Sequence, residues 1–111
     1  MATFEDVRAL ARDLPGAEES TSYGTPALKV RKKLFARLRE EGDVLVVKVD
    51  RDERAALIES EPDVYYVTTH YENYGYVLVR LEAVERDQLR EILIDSWRLA
   101  APKKLRHELT S

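Results

Sequence analysis

The 111-residue sequence has no cysteine, which excludes a disulfide scaffold, thiol catalysis and cysteine-ligated zinc or iron–sulfur sites. It has two histidines, His70 and His107, too few for a site built on several histidine ligands. No apolar run approaches the roughly 20 residues that a membrane span requires. The opening residues lack the basic and apolar regions of a signal peptide. The four glycines stand singly at 16, 24, 42 and 75, and none opens a helix in a phosphate-loop or dinucleotide pattern. There is no internal repeat, low-complexity segment or linker. These absences predict a soluble cytoplasmic protein, one domain over residues 1–111, with no cofactor, no metal and no membrane partner.

What is present is 44% hydrophobic and 35% charged residues. A chain of this length buries roughly two-thirds of its unfolded surface, enough for one core. The net charge of −3, from 18 basic and 21 acidic residues, argues weakly against a dedicated nucleic-acid binder. The distribution matters more than the sum. Residues 27–39 carry Lys29, Arg31, Lys32, Lys33, Arg37 and Arg39 with no acid among them. A second basic cluster holds Arg98, Lys103, Lys104 and Arg106, while residues 1–20 hold Glu5, Asp6, Asp13, Glu18 and Glu19 against Arg8 and Arg12.

Phe4, Val7, Leu10, Ala11 and Leu14 make one helical stripe, with Thr3 as N-cap and Pro15-Gly16 as the stop. Residues 17–25 are polar and turn-rich, a loop or the opening of a strand. Over 26–39, Leu28 and Val30 alternate with Lys29 and Arg31, and Leu34, Ala36 and Leu38 alternate with Phe35, Arg37 and Arg39. Period two predicts a hairpin turning near Arg31-Lys32-Lys33, with one apolar and one mostly basic face. Val44 to Val49 is β-branched and nearly all apolar, an interior strand. Asp50 caps a second helix, which ends at Pro62. Residues 64–69 and 76–81 are strands joined by the loop from His70 to Gly75. A third helix runs from about Glu85 to Ala100, and Leu105 and Leu109 leave room for one more short turn of helix over 103–109.

The order α-β3-α-β2-α predicts an α+β fold: a two-layer α/β sandwich with a mainly antiparallel five-stranded sheet and helices on one face. Leu28, Val30, Leu34, Leu38, Val47, Leu57, Val79, Leu89, Ile92 and Leu93 are its expected core.

"LPGAEES", "TPALKVRKKLFARL", "VLVVKVD", "YGYVLVRL" and "LIDSWRLAAPKKL", in that order, resemble the MmcQ/YjbR family over nearly the whole chain. The resemblance implies a CyaY-like or secretion-chaperone-like arrangement, which agrees with the element order above. It implies no catalytic residues, and a DNA-binding role of the kind ascribed to members for a double-wing arrangement. Where members often have Trp at the start of the last strand, this chain has Tyr76.

Three groups are candidates for chemistry. The basic hairpin, Lys29, Arg31, Lys32, Lys33, Arg37 and Arg39, could contact successive phosphates; its plain alternative is a solvated strand face kept soluble by charge. Tyr65, Tyr66, Tyr71, Tyr74 and Tyr76 lie within twelve residues, and with Arg80 they could stack bases or form a partner-binding surface. Tyrosine is equally at home half-buried on a strand. Trp97 beside Lys103 and Lys104 is a ring flanked by cations, or else core. His70, beside Tyr71 and Glu72, belongs to no nucleophile–histidine–acid pattern, and the spacing of His70, Glu72 and His107 matches no metal motif. The expectation is a non-enzymatic module binding DNA weakly and without sequence preference. A protein-interaction or chaperone-like module using the open sheet face and the tyrosines is the rival.

Overall fold

Thr3 opens the first helix, α1 (Phe4–Ala11), with a reciprocal cap: Thr3 N–H donates to the Asp6 carboxylate at 2.9 Å, and Asp6 N–H donates to Thr3 Oγ1. The computed structural model describes residues 1–22, 24–40 and 42–109. Strands β1 (Ala17–Ser22), β2 (Thr25–Val30), β3 (Lys33–Leu38) and β4 (Val44–Lys48) follow, then helix α2 (Arg51–Ser60). β5 (Tyr65–Tyr66), β6 (Tyr76–Arg80), α3 (Arg86–Ala100) and α4 (Lys103–Leu109) complete the described chain. Among the described residues no helix is long and apolar enough to cross a membrane.

The sheet is antiparallel throughout, in the order β1-β2-β3-β4-β6-β5. Six strands replace the expected five, because residues 17–22 pair with β2 along their whole length. AEESTS shows no apolar alternation because β1 is an edge, and its side chains at 18–21 are exposed. The expected strand over 64–69 pairs only at Tyr65 and Tyr66, after which the chain leaves the sheet. Residues 103–109 form a full short helix rather than a single turn.

Alternation along β4 and β6 divides the sheet into two faces. Leu45, Val47, Val77 and Val79 join the main core with Val7, Leu10, Leu89, Ile92, Leu93 and Trp97 from the helices. Val44, Val46 and Leu78 form a smaller cluster on the opposite face, under Tyr66, Tyr71 and Tyr76. Ser96 Oγ lies 2.6 Å from Lys48 O and 2.8 Å from Ile92 O, so one buried hydroxyl ties α3 to β4.

Strand β3 breaks the alternation. Leu28 pairs with Ala36 and Lys29 with Leu34, so Phe35 is an extra residue in a β-bulge. The bulge turns Phe35, 0% exposed, into the main core beside Ala36, and leaves Leu34 half-buried on the opposite face. This reverses the expected facing of Leu34 and Phe35. Leu38 and Leu57 are likewise half-buried at the margin of the core, while the other seven expected core residues are buried.

Candidate functional site

The bulge and the early exit of the chain from β5 build a cleft on the face away from the helices. It has a volume of about 510 Å³ and is lined by Leu34, Arg37, Glu40, Val46, His70, Tyr71, Tyr74 and Tyr76. Leu34 and Val46 supply apolar surface, and the segment after β5 supplies the aromatic wall. The His70 and Tyr71 rings meet edge to face at 4.8 Å, as do Tyr71 and Tyr76 at 6.1 Å. Tyr74, 57% exposed, stands at the rim.

The aromatic wall is held by α2. The Arg54 guanidinium donates to the carbonyl oxygens of Tyr71 at 3.2 Å, Glu72 at 2.9 Å, Tyr74 at 2.7 Å and Tyr76 at 3.1 Å. Arg51 donates to Asn73 O. Nη1 serves Tyr71, Tyr74 and Tyr76 with two shared N–H groups and Nη2 serves Glu72, so one guanidinium gathers carbonyls that the loop does not pair internally. At the foot of the loop a Cβ on Gly75 would sit 3.0 Å from Val49 O, so the close backbone approach favours glycine.

Arg37 is the charged group of the cleft. It is only 8% exposed, and its guanidinium donates to Tyr71 Oη at 3.1 Å and Thr25 Oγ1 at 3.1 Å, with Glu40 at 3.6 Å. Burial pulls its pKa down, and the Tyr71 hydroxyl and Glu40 carboxylate outweigh that, so it is held firmly charged. The Glu40 carboxyl is kept below the usual carboxylate range by its own backbone N–H, then by Arg37 and Arg39. The cleft therefore presents a paired donor and acceptor within an aromatic wall.

The other predicted site residues divide. Arg31, Lys32 and Lys33 are exposed at the tip of the β2–β3 hairpin, where Arg31 (φ 51°) and Lys32 (φ 69°) both occupy the left-handed region of a two-residue turn. Lys29 is half-buried and in register with Glu18 of β1, a neighbouring opposite charge. Arg39 is half-buried. Arg37 does not belong to a solvated basic face: its strand position points it into the cleft. Arg80 lies 4.0 Å above the Tyr66 ring and donates to Pro62 O and Asp63 O, away from the cleft. Tyr65 is buried in the main core. Trp97 is not a surface ring; it is 0% exposed, and its indole N–H donates to Pro15 O at 2.9 Å.

Two basic segments distant in sequence share one end of the domain. Gly16, at φ +72°, sits where a Cβ would meet Leu105 Cδ1 at 2.9 Å and Val30 Cγ2 at 3.5 Å. Val30 immediately precedes the hairpin tip, and Leu105 lies between Lys104 and Arg106 on α4. Lys103, Lys104 and Arg106 are exposed there, and Arg98, Lys103, Arg106 and His107 line a shallow basin of about 260 Å³.

Sequence reasoning missed Arg54, Glu40 and the apolar pair Leu34 and Val46. A cation in the middle of a charged helix carries no local signal that it clamps a loop 20 residues on.

A six-stranded open sheet, helices on one face and a loop-walled cleft on the other define an α+β domain with two candidate binding surfaces. The YjbR family model matches residues 12–99, and the chain belongs to that family. The chain is 33% identical over 120 residues to the uncharacterised proteins Mb2600 of Mycobacterium bovis and Rv2570 of Mycobacterium tuberculosis, with 95% of this chain and 93% of each relative covered. The crystal structure of Deinococcus radiodurans protein DR2400, a DUF419 domain, superposes with a TM-score of 0.80 at 25% identity, covering 98% of this chain and 88% of that one.

Proposed function

We propose that the protein is a cytoplasmic, non-enzymatic module that binds DNA along its phosphates through the basic end of the domain. The observation carrying this reading is that Val30, just before the hairpin tip, and Leu105, between Lys104 and Arg106 on α4, both lie against Gly16. Tip residues Arg31, Lys32 and Lys33 with Lys103, Lys104 and Arg106 make six exposed cations at that end, in a chain whose net charge is −3. Such a local excess attracts a polyanion although the whole molecule is acidic. Lys29 faces Glu18, Arg37 is directed into the cleft and Arg39 is half-buried past the end of β3, so the ribbon of six cations expected from sequence reduces to its tip. The contacts belong to phosphates and carry no base preference.

The test is duplex binding measured across a salt series. The wild type binds at about micromolar Kd or weaker and with a steep salt dependence. Replacing Arg31, Lys32 and Lys33 with alanine lowers affinity for every sequence and flattens the slope by up to about three units, near one per lost phosphate contact. Undetectable wild-type binding at low salt, or a triple variant that binds equally well, removes the reading. The rival, a protein partner on the open sheet face, draws on the exposure of Tyr74, since tyrosine is enriched at interfaces.

A further inference from the structure

The tyrosine-walled cleft does not belong to the basic end and needs an occupant of its own. We infer that it is a nucleobase site, taking one planar heterocycle against Tyr74 and Tyr76 with its polar edge toward Arg37 and Glu40. Its volume of about 510 Å³ lies within the range of small-ligand pockets, roughly 300–1,000 Å³. The composition of the cleft narrows the ligand. Phosphate alone would meet aromatic faces and the Glu40 carboxylate, which repels it. A purely apolar ring would strip water from the exposed Glu40 carboxylate and offer it no donor, at a desolvation cost. A base has a π face for the tyrosines and an edge bearing both donors and acceptors.

The wall is also formed in advance. Arg54 fixes four carbonyls between Tyr71 and Tyr76, so the rings stand in place before any ligand arrives. The site borders the proposed phosphate surface: Leu34 lines the cleft and follows Lys33 directly, and Lys29 pairs with Leu34. The base has two sources, a free nucleotide or a single strand whose backbone lies on the hairpin tip. The single-strand source rests on the proposed function; the free nucleotide does not.

The experiment has three arms on the intact protein: adenosine monophosphate followed by amide chemical shifts, a labelled single-stranded 12-mer followed by anisotropy, and a duplex of the same sequence. Wild type, Tyr74→Ala, Tyr74→Phe and Tyr76→Ala are compared. Tyr74 is exposed, so its truncation leaves the fold in place. The expected result is that the mononucleotide shifts the amides of residues 34, 37, 46 and 70–76, or that the 12-mer binds in the anisotropy assay through Tyr74. Tyr74→Ala weakens that binding by about fivefold or more, fivefold being the low end for one base–aromatic stack, and Tyr74→Phe restores it. Duplex affinity stays unchanged. Shifts from the mononucleotide alone assign the free nucleotide, and added affinity for the 12-mer assigns the strand. If neither perturbs the cleft, or Tyr74→Ala binds both as the wild type does, the inference is overturned. Duplex binding persisting in that case leaves the proposed function standing; loss of duplex binding with a responsive cleft does the reverse.

Discussion

Replacing Arg54 with alanine removes the clamp on the cleft wall, and its cost can be worked out bond by bond. Four carbonyl oxygens lose a charged donor. The bonds to Glu72 and Tyr74 are exposed, and water replaces the guanidinium there at about 0.5 kcal/mol each. Those to Tyr71 and Tyr76 are partly buried, and each costs about 1 kcal/mol because rehydration is incomplete. The total is about 3 kcal/mol, or roughly 12 °C in Tm at about 4 °C per kcal/mol for a domain near this size. Thermal unfolding measures the sum. Amide exchange at 70–76 locates it, rising in Arg54→Ala beyond what the global stability loss accounts for. Arg54→Lys recovers only part, since one ammonium can stand in for Nη1, which serves Tyr71, Tyr74 and Tyr76, but leaves Glu72 O, bonded by Nη2, without its donor. An Arg54→Ala variant that melts within about 2 °C of wild type, with unchanged exchange over 70–76, would refute the clamp.

Three further outcomes follow from the same structure. Arg31→Asn with Lys32→Gly suits both left-handed positions of the hairpin tip; it should raise stability by about 1–2 kcal/mol in denaturant while lowering duplex affinity, and an unchanged midpoint would show that the turn is unstrained. Val47→Asp puts a carboxylate between Ala36 and Val77 in the main core and should abolish the folded circular dichroism spectrum, at a cost above about 3 kcal/mol; a melt near wild type would contradict the strand register. Burial pushes the Asp95 carboxyl up, with Glu91 adding to this and Arg98 opposing it. The folded chain thus holds that proton to higher pH than the unfolded chain, so ionised Asp95 destabilises the fold above the ordinary carboxylate range. Asp95→Asn should raise Tm at pH 7 and lose its advantage as pH falls below that range; an advantage independent of pH would mean that ionisation is not the cause.

Local sequence carries most of the scaffold. Thr3 and Asp50 mark helix starts through capping, whereas the first helix ends at Ala11, ahead of the Pro15-Gly16 stop, and Val44–Lys48 reads as an interior strand because both its faces are buried. The failures occur where pairing or tertiary contact overrides the local pattern. One extra residue at Phe35 exchanges the facing of Leu34 and Phe35, and period two cannot reveal a bulge in advance. AEESTS lacks a strand signal because an edge needs no second apolar face. VYYVTT has strong strand propensity, yet pairing stops at Tyr66 and the rest turns back over the open face, with Tyr71 N–H donating to Thr68 O at 2.9 Å and Tyr74 N–H to Tyr71 O at 3.0 Å. The two basic clusters are visible as composition, but the contact of Val30 and Leu105 with Gly16, which brings their segments near each other, is a tertiary fact. Arg37 reads as one more surface cation until the Tyr71 hydroxyl, 34 residues on, is seen beside it.

The central claim is that the hairpin tip and α4 act as one phosphate-binding surface, and a backbone amide titration with mixed-sequence duplex tests it most directly. The account predicts shifts at residues 29–34 and 98–107 that grow together, saturate at one Kd and fade together as salt is raised. Shifts confined to one of the two segments would contradict it.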